Sequence, residues 1–308
     1  MSFPILIDIA VRDLPGAVAI AAAARSSGAA GVRVHDTAGD GPALDPSVVA
    51  SYLAGTIGDI GYLVDVPTTG NAPYNAARRI LSFDRATAGR AGVVLRPGAD
   101  DEVSRATTPD PAASDPARRW AEYAIVLTRL WESFPRAALI ADQERALVVD
   151  RALISAIDHE GSYYRVAGPL DGPSSVQGRP VLAAAEPHEL GWDVVAHIAD
   201  VVVVDRDRAA GANAALTAAL AGTGRQRSEI VLLGRARVAA PADPRAVADE
   251  LAAWVAADGL DGLSLAPVGD TIEIVAAIEA LTPLLATPVT GPTLREALGL
   301  RTPAGALR

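Results

Sequence analysis

Short apolar runs rich in Val, Ile and Leu alternate with Ala-rich stretches of helical length over almost the whole chain. A continuous apolar run of strand length, followed by a helical period, signals a βα unit. Eight strands are predicted: Phe3 to Ile9, Gly31 to His35, Gly58 to Val66, Ala91 to Leu95, Pro180 to Ala185, Asp200 to Val204, Glu229 to Leu233 and Gly259 to Leu265. Helices are predicted at Pro15 to Ser27, Pro46 to Thr56, Pro73 to Ala88, Pro116 to Ser133, Glu189 to Ile198, Asp207 to Ala221, Pro244 to Ala257 and Asp270 to Leu285. Three of them open on Asp-Pro, at Asp45, Asp115 and Asp243. An aspartate there caps free N–H groups, and the proline's missing N–H is of no consequence in the first turn. Strands that are apolar throughout need both faces covered, so the pattern predicts a (β/α)8 TIM barrel spanning residues 1–308 as one domain. An open doubly wound sheet would also alternate, but Asp8-Ile9-Ala10-Val11-Arg12 follows the first strand where a Gly-x-Gly-x-x-Gly turn would stand. Two stretches break the period, Pro97 to Asp115 and Asp158 to Arg179. The second contains a hairpin at Gly161 to Gly168, and both are expected as lids over the C-terminal mouth.

Composition removes whole chemistries. All 27 basic residues are arginine, so Schiff-base and P-loop lysines are excluded. With no cysteine there is no disulfide, thiol nucleophile or Cys-ligated metal, which fits a reducing, cytoplasmic setting. A net charge of -10 opposes a nucleic-acid partner, and no apolar run reaches the ~18 residues of a membrane span.

In a barrel the strand C-termini and following loops converge on one mouth. The polar residues there are Asp8, His35, Asp36, Asp65, Thr68, Thr69, Asn71, Arg96, Glu186, His188, Asp205, Arg206 and Arg235. No His-x-His stands on the first strand, and neither His159-Glu160 nor His188-Glu189 has the second histidine of a zinc motif, so no metal site is expected. Gly262-Leu-Ser-Leu-Ala266 falls short of a serine-hydrolase elbow. Asp8, Asp36, Asp65 and Glu186 could converge as acid and base, or serve as partners of Arg33 and Arg96, and spacing does not choose between these. His35 shares a strand side with Arg33 and is the candidate catalytic group.

Four segments resemble the luciferase-like flavin monooxygenases, in their nitrilotriacetate and dibenzothiophene monooxygenase branch. They are Thr68 to Gly92 (TTGNAPYNAARRILSFDRATAGRAG), Leu130-Trp-Glu-Ser133, Asp158 to Leu170 with Gln177 to Pro180, and Thr293 to Leu300. The resemblance covers essentially the whole chain and implies a (β/α)8 barrel acting on a small organic substrate with oxygen and reduced FMN, the latter supplied by a separate flavin reductase. It also implies a homodimer paired through the helices at Pro46 to Thr56 and Pro73 to Ala88. Asp36 with Thr68 and Thr69 match cofactor-binding positions. Departures from the pattern are as specific. Val94 stands where the family has an amide, and the family-like Ala-Gly-x-Ser-x-x-Gly phosphate loop reads Ala185-Glu-Pro-His-Glu-Leu-Gly191. A proline lacks a donor and a carboxylate repels phosphate, so weak FMN binding is expected, with His188, Arg96 or Arg206 as compensating groups. Two other readings stay open, a barrel that has lost flavin and serves as a binding or partner subunit, and a carboxylate-based hydrolase.

Overall fold

The computed structural model describes residues 2–36, 44–98, 101–289 and 291–303. All eight predicted strands form, and they close into one parallel barrel. Four precede an excursion: β1 (Ile5–Val11), β2 (Gly31–Asp36), β3 (Gly61–Pro67) and β4 (Ala91–Arg96). Next come two small antiparallel hairpins, β5 (Leu139–Asp142) with β6 (Leu147–Val149) and β7 (His159–Glu160) with β8 (Arg165–Val166). The barrel resumes with β9 (Val181–Ala185), β10 (Val201–Asp205), β11 (Val231–Val238) and β12 (Gly262–Pro267), the last pairing back onto β1. The long helices α1 (Leu14–Ser26), α2 (Pro46–Ile57) and α3 (Pro73–Ala86) follow the first three strands. After β4 come a short α4 (Glu102–Thr107) and the long α5 (Pro116–Glu132). Asp45, Asp115 and Asp243 each accept backbone N–H bonds at the start of their helices, as the Asp-Pro pairs predict.

Alternation along each strand fills the barrel in layers. At the N-terminal end Leu6, Leu63, Val181, Val201, Val231 and Leu233 pack inward with Leu294 and Leu298 of the C-terminal segment. Glycines make room for them. A Cβ on Gly61 would lie 2.5 Å from Leu294 Cδ1, and one on Gly92 would lie 2.8 Å from Leu63 Cδ2. Leu294 opens α11 (Leu294–Ala297), which closes this end of the barrel.

Three expectations need correction. The helix predicted at Glu189 to Ile198 is two pieces, α6 (Pro187–Leu190) and α7 (Trp192–Ile198), divided at Gly191 with φ 88°. The helix predicted from Asp207 is a 3-10 turn, Arg206–Arg208, and then α8 (Ala212–Leu220) after the left-handed Gly211. The segment predicted as a lid from Asp158 to Arg179 stays at the C-terminal end only through its hairpin, where Tyr164 Oη donates to the Thr68 carbonyl at 2.7 Å. Its second half descends to the start of the strands, with Gln177 Nε2 donating to the Ala91 carbonyl, because β9 must begin at that end. Residues 99–100 of the other expected lid lie outside the described residues. Gly98 N of that segment bonds Thr68 Oγ1, which places it beside the end of β3.

Candidate active site

Above the apolar layers, the inward positions of β1, β2, β3, β11 and β12 turn polar. Asp8, Arg33, Asp65 and Ser264 are buried there. Arg33 makes a bidentate pair with Asp65, both N···O distances being 2.8 Å, and its other terminal nitrogen is 3.8 Å from Asp8. Asp8 accepts from Arg235 Nε at 2.7 Å and from Ser264 Oγ at 2.6 Å. Arg96 reaches Asp65 at 3.3 Å and Asp36 at 3.8 Å, while Arg235 also reaches Asp205 at 3.4 Å. Burial alone would raise the Asp8 carboxyl, but Arg33 and Arg235, with the hydrogen bonds from Ser264 and Arg235, hold it below the usual carboxylate range. Burial would likewise lower the Arg33 guanidinium, and Asp65 and Asp8 together hold it above its ordinary value. Asp8 and Asp65 are therefore both engaged in ion pairs with arginine. Of the four carboxylates considered for acid–base work, Asp8 and Asp65 are thus held in ion pairs, while Asp36 and Glu186 line the mouth above them.

Two openings lie over this floor. One, of about 620 Å³, is lined by Asp36, Arg96, Ala185, Glu186, His188 and Arg208 among others. The other, of about 500 Å³, is lined by Asp8, Arg12, Ala266 and neighbouring residues. They share His35, Arg235 and Arg237 and so form a single mouth. His35 Nδ1 lies 3.0 Å from the Asp36 carbonyl. A carbonyl can only accept, so this contact places the donor on Nδ1. The structure thus brings together His35, Asp36, Arg96 and His188. It does not bring Thr68 and Thr69 to the same cavity. Thr68 is buried with its hydroxyl accepting from Gly98 N, and it lines a separate cavity beside the β7–β8 hairpin. Thr69 is buried against Gly98.

The three groups expected to compensate for the altered phosphate loop are committed elsewhere. Arg96 is paired with Asp65 and Asp36. Arg206 binds Glu250 at 2.6 Å and stacks over Trp254 of α9 (Pro244–Asp258). His188 Nε2 bonds the Arg208 carbonyl at 3.1 Å, and its ring packs edge-on against Trp192. Two other arginines are uncommitted. Arg208, from the turn after β10, and Arg237, near the end of β11, line the larger opening without a carboxylate within 4.0 Å among the described residues. Sequence reasoning missed both, since a chain with 27 arginines does not mark which ones lack a partner. This donor set fits a flavin phosphate, because two unneutralised guanidinium groups suit a dianion and Ala185, Pro187 and Val203 supply an apolar wall. Glu186 opposes it. Among the described residues no cluster of three or more His, Asp or Glu side chains could hold a metal ion.

The profile of the luciferase-like monooxygenase family matches residues 5–283. Nitrilotriacetate monooxygenase component A of Aminobacter aminovorans is 31% identical over 161 residues, which are 52% of this chain and 36% of that one. The chain thus spans only about a third of that relative's length. A pristinamycin IIA synthase subunit of Streptomyces pristinaespiralis is 30% identical over 214 residues, covering 67% of this chain and 69% of that one. Among solved structures, EDTA monooxygenase from Chelativorans sp. BNC1 superposes with a TM-score of 0.81 over 97% of this chain and 99% of the other, at 18% identity, and shares the barrel fold.

Proposed function

Because the chain belongs to the luciferase-like monooxygenase family, we propose that its mouth binds reduced FMN and directs oxygen onto a small organic substrate. Reduced flavin supplies the two electrons that split dioxygen, one atom going to substrate and the other to water. A separate flavin reductase would provide the reduced cofactor, and the working unit would be a cytoplasmic homodimer. Arg208 and Arg237 would hold the phosphate, with Ala185, Pro187 and Val203 excluding water from the wall beside it. His35 would serve as the proton-transfer group through Nε2, the ring nitrogen not facing the Asp36 carbonyl. The Arg33–Asp65 and Arg235–Asp8 pairs fix the floor beneath these groups. One observation carries the reading, the two unpaired arginines opening onto the cavity that His35 also lines.

Comparing FMN with riboflavin, which lacks the phosphate, tests it by quenching of flavin fluorescence. A charge-assisted hydrogen bond contributes roughly 1.5–3 kcal/mol, so FMN should bind at least about tenfold tighter than riboflavin. Replacing Arg208→Gln and Arg237→Gln together should remove that preference. Equal affinity for both flavins in the unaltered protein would overturn the arginine assignment, and no affinity for either would favour the barrel that has lost flavin.

A further inference from the structure

Between the end of β3, the first turns of α3 and α5, and the β7–β8 hairpin lies a separate cavity of about 540 Å³. It shares no lining residue with the mouth. Its walls are largely aromatic, from Tyr74, Tyr163 and Tyr164, and Arg119 of α5 faces it. Three arginines are buried among the described residues: Arg33, Arg119 and Arg295. Arg33 has Asp65 and Asp8, and Arg295 has Asp200 at 3.0 Å. Arg119, only 5% exposed, has no carboxylate within 4.0 Å among the described residues. The Tyr163 ring beneath it, 5.1 Å to the centroid, offsets part of its desolvation, and the Tyr164 hydroxyl lies beside it.

No carboxylate among the described residues neutralises this cation, which meets the Tyr164 hydroxyl and the Tyr163 ring. Glu122, one turn further along α5, is turned to the hairpin, where it accepts from the backbone N–H of Tyr163 and Tyr164 and lies 3.1 Å from His159 Nε2. Among the described residues no Asp or Glu lines the cavity, while a second cation, Arg165, stands at its exposed rim. In a chain of net charge -10, two arginines and no acid among the described residues around one opening mark a local reversal of charge. The tyrosine hydroxyls are spoken for. Tyr163 donates to the Asp115 carbonyl, Tyr164 to Thr68 and Tyr74 to Pro169, so what they offer a ligand is ring surface.

The geometry points to a binding site for a small organic anion, a carboxylate or sulfonate on a flat aromatic or apolar body, with the charge on Arg119 and the body between the tyrosines. A buried guanidinium gains most from a planar anion that it can meet with two parallel N–H bonds. This site is independent of flavin binding.

Calorimetric titration of the full chain with benzoate and benzenesulfonate, against the neutral benzyl alcohol, tests the inference without flavin present. The anions are expected to bind at least roughly tenfold tighter than the alcohol, the scale of one charge-assisted contact. Arg119→Gln should lose that preference while FMN affinity at the mouth stays unchanged. Arg165→Gln, at the exposed rim, should weaken the anions about threefold and is a second probe that does not disturb buried packing. Equal binding of benzoate and benzyl alcohol by the unaltered protein, binding of neither anion, or undiminished anion binding in the folded Arg119→Gln protein would each overturn it.

Discussion

Glu186 sits in the left-handed region, at φ 59° and ψ 51°, and its carboxylate lines the mouth where a phosphate is to be held. A non-glycine residue there carries roughly 1–2 kcal/mol of strain, and glycine carries none. Glu186→Gly is therefore expected to raise stability by about 0.5–1 kcal/mol after the extra chain entropy of glycine, which thermal denaturation would show. It should also tighten FMN about fivefold by removing one repulsion of roughly 1 kcal/mol. Asp84 poses a different problem. It is buried with Oδ1 accepting from Gln177 and Ala91 N, and Oδ2 has no partner. Burial pushes its carboxyl up to about 6, from 3.8 in the unfolded chain. The folded state thus holds this proton more tightly, so the stability it contributes is complete below about pH 4 and lost as pH rises through 6, about 3 kcal/mol in all. Asp8 and Asp200, held low by their arginines, act in the opposite sense and lose stability as pH falls. The difference between Asp84→Asn and the unaltered protein isolates the first effect. The variant should gain relative stability between pH 4.5 and 7 in thermal melts, and a constant difference across that range would contradict the assignment.

At the scale of elements, the hairpin beside β3 is fastened by Glu122 together with the Tyr163 and Tyr164 hydroxyls, which donate to the Asp115 and Thr68 carbonyls. Glu122 accepts N–H bonds from two successive hairpin residues, at 2.8–3.1 Å, and few strand bonds hold the hairpin otherwise. Glu122→Ala should loosen it, measured as faster proteolysis within residues 158–168 with a loss of about 1–3 kcal/mol. The barrel strands and Asp-Pro helix starts could be read from the chain because each depends on local pattern: an apolar run, or a cap two residues from the N–H it binds. The split at Gly191 and the turn at Gly211 were not legible, since helix-compatible sequence stands on both sides of each and the positive φ of one glycine interrupts it. The hairpin of β5 and β6 went unpredicted because its strands are short and mostly exposed, without an inward face to set a period. The site divides along the same line. That His35 and Arg33 share a side follows from a period of two, but whether Arg119, Arg208 and Arg237 meet a carboxylate depends on how the folded chain turns its acids, as with Glu122, three residues from Arg119, which faces the hairpin instead.

For the whole molecule, the remaining question is how many copies act together, and the outer face of α2 bears on it. Val48 and Tyr52, one turn apart on α2, are 66% and 51% exposed, and Leu44, just ahead of the helix, is 39% exposed. Isolated exposed apolar side chains are ordinary, whereas two large ones a turn apart on one helix face form a surface that gains by being covered. A second copy presents the same surface, and a twofold axis brings each surface against the other without leaving an open end. Beside it, α3 exposes Arg78 and Arg79, whose charge would rim such a contact and keep it from growing past two copies. The expected state is therefore a homodimer at micromolar concentration by light scattering. Val48→Asp with Tyr52→Asp would place four like charges across the axis and should yield folded monomers that still bind FMN, because α2 contributes no residue to the mouth. A monomeric unaltered protein would show that this face serves something other than self-association, and a dimer that survives the double substitution would place the interface elsewhere on the barrel.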